Sequence, residues 1–174
     1  MVSGAPTARF ELVDHHGRAV TERDYAGSFL LVYFGFTHCR VVCPRSLTRL
    51  SLVLETLGDT AKRIVPLHIT VDPERDTPQV MRQHLETSYP RFTGLTGSSD
   101  QIDAAKKAFR VFAERKADDE DPDGYVVPHT AISYLIGPDG SYRDHYTDAV
   151  QDEQMITRIA NIVDSESART RENG

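Results

Sequence analysis

The chain of 174 residues has no tryptophan, only two cysteines, fewer basic than acidic side chains and no long apolar run. Each shortage excludes a class of protein. Disulfide-rich secreted scaffolds spread many cysteines through a chain too small for a core. Here both cysteines lie in one short segment, where a bridge would constrain the unfolded chain very little, and a composition that is 39% hydrophobic supplies an ordinary core for one globular domain. Lys and Arg number 20 against 26 Asp and Glu, a formal net charge of -6, which speaks against a phosphate-binding face and so against nucleic acid as a partner. Nothing approaches the ~20 apolar residues needed to cross a bilayer. MVSGAPTARF has neither the basic start nor the apolar core of a signal segment, so a tether to a membrane would have to be an anchor absent from this chain.

No repeat and no Gly, Ser or Pro-rich linker divides the sequence, which reads as a single domain over 1–174. Its core covers about 10–163, and the polar tail 165–174, SESARTRENG, is expected to be disordered. KADDEDPDG places five carboxylates between residues 118 and 123. The plain reading is a solvated loop, and the sharper one is a docking patch for a basic partner.

Along the chain, SFLLVYFGF (28–36) is a continuous apolar and aromatic run, the pattern of a strand buried on both faces. It leads straight into the cysteines. Leu47, Leu50, Leu54 and Leu57 then recur at helical spacing, with Gly58 where a helix would end. RIVPLHITVD (63–72) reads as a second buried strand. DTPQVMRQHLETSYP opens a helix with Thr77 as cap and Pro78 in the first turn. Ile102, Ala105, Phe109 and Phe112 mark one face of a third helix, and TAISYLIGPDGSYRDHYTD reads as a hairpin turning at GPDG. A last helix carries Met155, Ile156, Ile159, Ile162 and Val163. Strands alternating with helices predict an α/β fold, a mixed central sheet with helices on both faces. A cysteine pair at the first strand-to-helix turn narrows this to a thioredoxin-like fold.

Cys39 and Cys43 have three residues between them, one more than the usual thioredoxin-type pair. Near a helix N-terminus a thiol meets unpaired N–H groups and the positive end of the dipole, which favour the thiolate; Arg40 and Arg45 add positive charge. Thiolates at i and i+4 suit a disulfide couple or two bonds to one metal ion, and spacing alone does not choose between them. A third ligand would, because two thiolates and an imidazole make a soft, low-coordinate site that favours copper.

The chain has seven histidines. His15, His16, His84 and His145 read as surface residues, His68 as a core or edge histidine within a strand, and His38 as a neighbour of Cys39 without a ligand's role. His129 differs: it follows YVVP and begins the strand TAISYLI, and in a thioredoxin-like sheet the loop entering that strand faces the cysteine turn.

Taken in order, YFGFTHC with a second Cys-Pro after three residues, ITVDPERDTP, GLTG and YVVPHTAISYLIGPDG resemble the Sco/SenC family of thioredoxin-like copper proteins. The likeness spans about residues 10–163. It implies copper, as Cu(I) or Cu(II), held by Cys39, Cys43 and His129. It also implies a metallochaperone rather than a turnover enzyme, one that helps build the binuclear copper centre of cytochrome c oxidase at the periplasmic face of the bacterial inner membrane. The implied partners are the oxidase's copper-centre subunit and, for the same cysteines acting as a redox pair, another thiol-disulfide oxidoreductase or copper chaperone. Two departures stand out: Arg40, Val41 and Val42 replace the family's common Pro-Asp-Val, and Pro128 replaces the aspartate usual before the histidine.

The competing reading is a metal-independent thiol-disulfide oxidoreductase. A peroxidase version is weakened because Thr37 stands two positions before Cys39, where peroxiredoxin-like sites generally place a threonine three before. Structural zinc would want four ligands and finds only two sulfurs. The DPERDTP segment is read simply as a strand end and a helix start, with no metal role for Asp72 or Asp76.

Overall fold

The computed structural model describes residues 6–38, 42–120, 123–127 and 131–172, and for residues 42, 43, 126, 170 and 171 the backbone alone. The chain order is β1 (Glu11–Asp14), β2 (Ala19–Thr21), β3 (Phe29–Gly35), α1 (Val42–Leu57), β4 (Ile64–Thr70), α2 (Pro78–Ser88) and β5 (Thr93–Thr96). It continues through α3 (Ser99–Phe109), β6 (Lys116–Ala117), β7 (Tyr125–Val126), β8 (Ile132–Ile136), β9 (Tyr142–Thr147) and α4 (Asp152–Glu172). Seven strands form one mixed sheet in the order β2-β1-β5-β4-β3-β8-β9, while β6 and β7 make a separate two-stranded ribbon. β3, β4 and β5 are parallel and joined by helical crossovers, and the outer pairings are antiparallel.

β3 has the apolar run of a central strand because it is covered on both faces, and every one of its residues is buried. Tyr33, His68 and Gly94 stand in register across β3, β4 and β5, so their side chains share one face. A Cβ on Gly94 would lie 2.7 Å from Leu85 Cδ1 and 2.9 Å from Met81 Cε, which puts α2 on that face. α1 packs beside α2, since the Tyr89 hydroxyl donates to the Pro44 carbonyl at 3.2 Å, and α4 lies against α1. Phe34 alternates to the opposite face, where it meets Phe109 of α3 edge-on with centroids 5.2 Å apart. Helices therefore cover both faces.

Local chemistry sets the element ends. Thr77 caps α2 by accepting the Val80 N–H, with Pro78 at the start of the helix. Gly58 takes φ +57° where α1 gives way to a short 3-10 segment. Pro66, without an N–H, precedes Leu67, the first β4 residue paired with β5. The β8–β9 hairpin turns through GPDG with Gly140 at φ +82°.

The structure corrects two readings near helix ends. α3 stops at Arg110, which adopts the left-handed conformation with φ 60°, so Val111 turns inward and Phe112 is 67% exposed rather than on the buried face. α4 runs to Glu172, through most of the tail expected to be disordered. Glu166 is tied to Arg143, whose Nη2 lies 2.7 Å from its carboxylate, and the Ser167 hydroxyl donates to the Val163 carbonyl at 2.8 Å. These contacts give the polar end of the helix partners that its composition does not advertise.

Candidate metal and redox site

The sheet delivers the cysteine segment at the C-terminal end of β3. Phe36 is buried, Thr37 is half-buried, His38 is exposed, and α1 begins at Val42, which places the backbone of Cys43 in the first helical turn. Cys39 and His129 lie outside the described residues, and the side chain of Cys43 is likewise not described. The structure thus supplies the flanks of the expected site: 36–38 and α1 on one side, 123–127 and β8 on the other.

Both flanks meet the segment between β4 and α2. Asp76 is fully buried. Its carboxylate accepts the Thr37 N–H at 3.0 Å, the Thr70 hydroxyl at 2.7 Å and a short hydrogen bond from the Thr37 hydroxyl. Burial, the largest influence, pushes the Asp76 carboxyl above its ordinary value although these donors pull it down; the nearby charge of Asp72 adds to the upward push. The Thr37 hydroxyl oxygen also lies 3.1 Å from His38 Nδ1. With the hydroxyl proton given to Asp76, that oxygen accepts, which assigns the His38 proton to Nδ1.

Four residues earlier, Asp72 accepts from Arg75 Nε at 2.5 Å and from the Tyr125 hydroxyl at 3.1 Å. The Arg75 guanidinium lies 3.9 Å from the Tyr125 ring centroid and 6.0 Å from that of Phe36. Arg115 also lies 3.9 Å from the Tyr125 centroid and is itself paired with Glu74. Tyr125 thus has two cations stacked on it, and burial together with the charge of Asp72 raises its phenol above the usual range. Sequence reasoning missed Arg75, Tyr125 and Arg115. It read Asp72 and Asp76 only as element ends; the bonds from Thr37 to Asp76 and from Tyr125 to Asp72 span 39 and 53 residues, beyond any local pattern.

The remaining histidines separate by environment. His15 is buried, not on the surface as its polar neighbourhood suggested, because its Nδ1 accepts the Gly94 N–H at 2.9 Å. His16 and His145 are exposed, His84 is half-buried with its pKa lowered chiefly by desolvation, and His68 is fully buried in β4. His15, His16 and Glu86 gather potential ligand atoms within 4.8 Å, the one such group among the described residues. The hydrogen bond into His15 Nδ1 leaves the proton of the neutral ring on Nε2, so this imidazole offers no lone pair to a metal without losing that bond. A cavity of about 650 Å³ runs beside α1, lined by Arg45, Ser46, Arg49 and residues 148 and 150–153. Arg49 fastens its floor through Asp152 and the carbonyls of Thr147 and Val150.

The family model for SCO1/SenC matches residues 3–164. The chain belongs to the SCO1/SenC family. Among curated relatives, the mitochondrial protein SCO2 homolog of Danio rerio is 42% identical over 154 residues, covering 87% of this chain and 55% of that protein. The chain spans about half the length of the curated relatives it matches. Two solved structures with copper bound are similar throughout the fold. ScoI of Bradyrhizobium japonicum has a TM-score of 0.80 at 34% identity, over 90% of this chain and 99% of that one. Yeast Sco1 has a TM-score of 0.85 at 32% identity, over 93% and 90%. The mixed sheet with helices on both faces is that of these thioredoxin-like Sco proteins. Among the described residues no helix is long and apolar enough to cross a membrane.

Proposed function

We propose that this chain, acting as one thioredoxin-like domain, binds copper through Cys39, Cys43 and His129 and passes it to the binuclear copper centre of cytochrome c oxidase. The observation that carries the reading is the convergence of the two flanking segments, 36–38 and 123–127, on the same short stretch, 72–76, in a fold whose relatives have been solved with copper. Two soft thiolates and an imidazole suit Cu(I). Cu(I), two thiolates and a neutral imidazole together carry one negative charge, so Arg40 in place of an acidic neighbour favours the loaded site. Pro128 cannot ionise and has no N–H, which stiffens the approach to His129 and removes a polar contact to a recipient.

The same cysteines, when not holding metal, would exchange disulfides with the recipient subunit or with another thiol-disulfide oxidoreductase. The reading places the protein at the periplasmic face of the bacterial inner membrane. It is a carrier and not a turnover enzyme. The test is competition for Cu(I) between the fully reduced chain and a coloured chelator, beside an Ellman titration. One copper per chain that masks both thiols supports the carrier. Two free thiols with only weak copper binding would overturn it in favour of metal-independent disulfide chemistry.

A further inference from the structure

Resting on that reading, we propose that Arg75 is a positioning residue for the copper site, clamping the segment that leads into His129 against the segment that leads into Cys39. Arg75 is 8% exposed in its side chain. Its guanidinium faces Tyr125, four residues before His129, at 3.9 Å and Phe36, three residues before Cys39, at 6.0 Å. Asp72 receives Arg75 Nε and the Tyr125 hydroxyl together, so the cation, the ring and the carboxylate close a small loop of contacts. Asp76, the next residue along, ties down the Thr37 N–H. A segment of five residues therefore grips both arms at once, and Arg75 is the member that touches both.

The physical need for such a clamp follows from the ligand set. Two sulfurs four positions apart in the sequence leave a low-coordinate ion whose third bond must come from a residue far along the chain, so the placing of the imidazole has to be secured separately from that of the sulfurs. A planar guanidinium suits the task because it stacks and donates in one fixed geometry, whereas a lysine supplies the charge alone. Val127, buried at 5% exposure just beyond Tyr125, anchors the same arm from the apolar side.

The test is a double-mutant cycle read by Cu(I) competition on the full chain, with Arg75→Lys, His129→Ala and the pair, and with Tyr125→Phe and Tyr125→Ala as companions. Groups that orient a metal ligand typically change affinity by about 10–100-fold when replaced. Arg75→Lys and Tyr125→Ala are expected to fall in that range, while Tyr125→Phe, which keeps the stacked ring, stays within a few-fold of the parent. In the His129→Ala background Arg75→Lys should cost nothing further, because the imidazole it positions is gone. Losses that simply add, or an Arg75→Lys chain that binds copper like the parent, would overturn the clamp while leaving the carrier function standing. A parent chain that holds no copper would overturn both.

Discussion

Replacing Asp76 by alanine would remove the acceptor of three hydrogen bonds at once and leave the Thr37 N–H and Thr70 hydroxyl facing an apolar interior. Each such bond contributes about 0.5–1.5 kcal/mol net, and a buried donor left unpaired costs about 1–3 kcal/mol, so Asp76→Ala should destabilise the fold by about 2–5 kcal/mol. Asp76→Asn should be far milder. Its carbonyl oxygen can take the place of the carboxylate oxygen that receives Thr37 N–H and Thr70, and its amide can donate to the Thr37 hydroxyl, which is free to rotate. The two variants then separate in their response to pH. Because burial raises Asp76 above its ordinary value of 3.8, the folded chain holds this proton more tightly than the unfolded one. The associated stability is complete below the ordinary carboxylate pKa and is lost as pH rises through the raised folded value. Urea denaturation of the parent and Asp76→Asn should therefore show the parent losing ground to the variant as pH rises above about 4. A parent that gains on the asparagine variant with rising pH would mean that the three donors outweigh burial, and would refute this account of the site.

Other outcomes are equally open to measurement. His129→Ala should weaken Cu(I) binding in the chelator competition while the cysteine pair still oxidises to a disulfide, and unchanged affinity would remove His129 from the ligand set. Cys39→Ser and Cys43→Ser should each abolish tight copper binding; one tightly held copper per chain in either variant would dismiss a two-sulfur site. Gly94→Ala would force a methyl toward Leu85 and Met81, and overpacking of this kind costs about 1–3 kcal/mol, visible as a lower thermal midpoint with no change in copper stoichiometry.

Long, strongly patterned elements were legible before any coordinates. β3 was readable because a strand buried on both faces has no polar alternation to hide it, α1 because its leucines repeat on one face, and the start of α2 because Thr77 and Pro78 are chemical signals in themselves. What escaped was short or set by distant partners. β5 is four residues, Thr93–Thr96, with a glycine inside, and it is a strand because β4 and β1 flank it. β6 and β7 have two residues each. Phe112 looked like the next turn of α3, but the chain reverses at Arg110. At the site, Cys39, Cys43 and His129 were candidates through their residue types and a family likeness. The contacts of Asp76 and Arg75 exist only once β3, β4 and the 123–127 segment are brought together.

The open edges of the sheet limit how this protein can meet others. One border is β2, only three residues long, and the other is β9, where Arg143, Asp144 and His145 follow one another. Arg143 is engaged with Asp139 and Glu166, and Asp144 with Arg158. A brief border and a charged one are poor templates for backbone pairing, so neither invites an incoming chain to extend the sheet. A sheet closed off in this way grows by neither border, so its strands stay committed to their own fold.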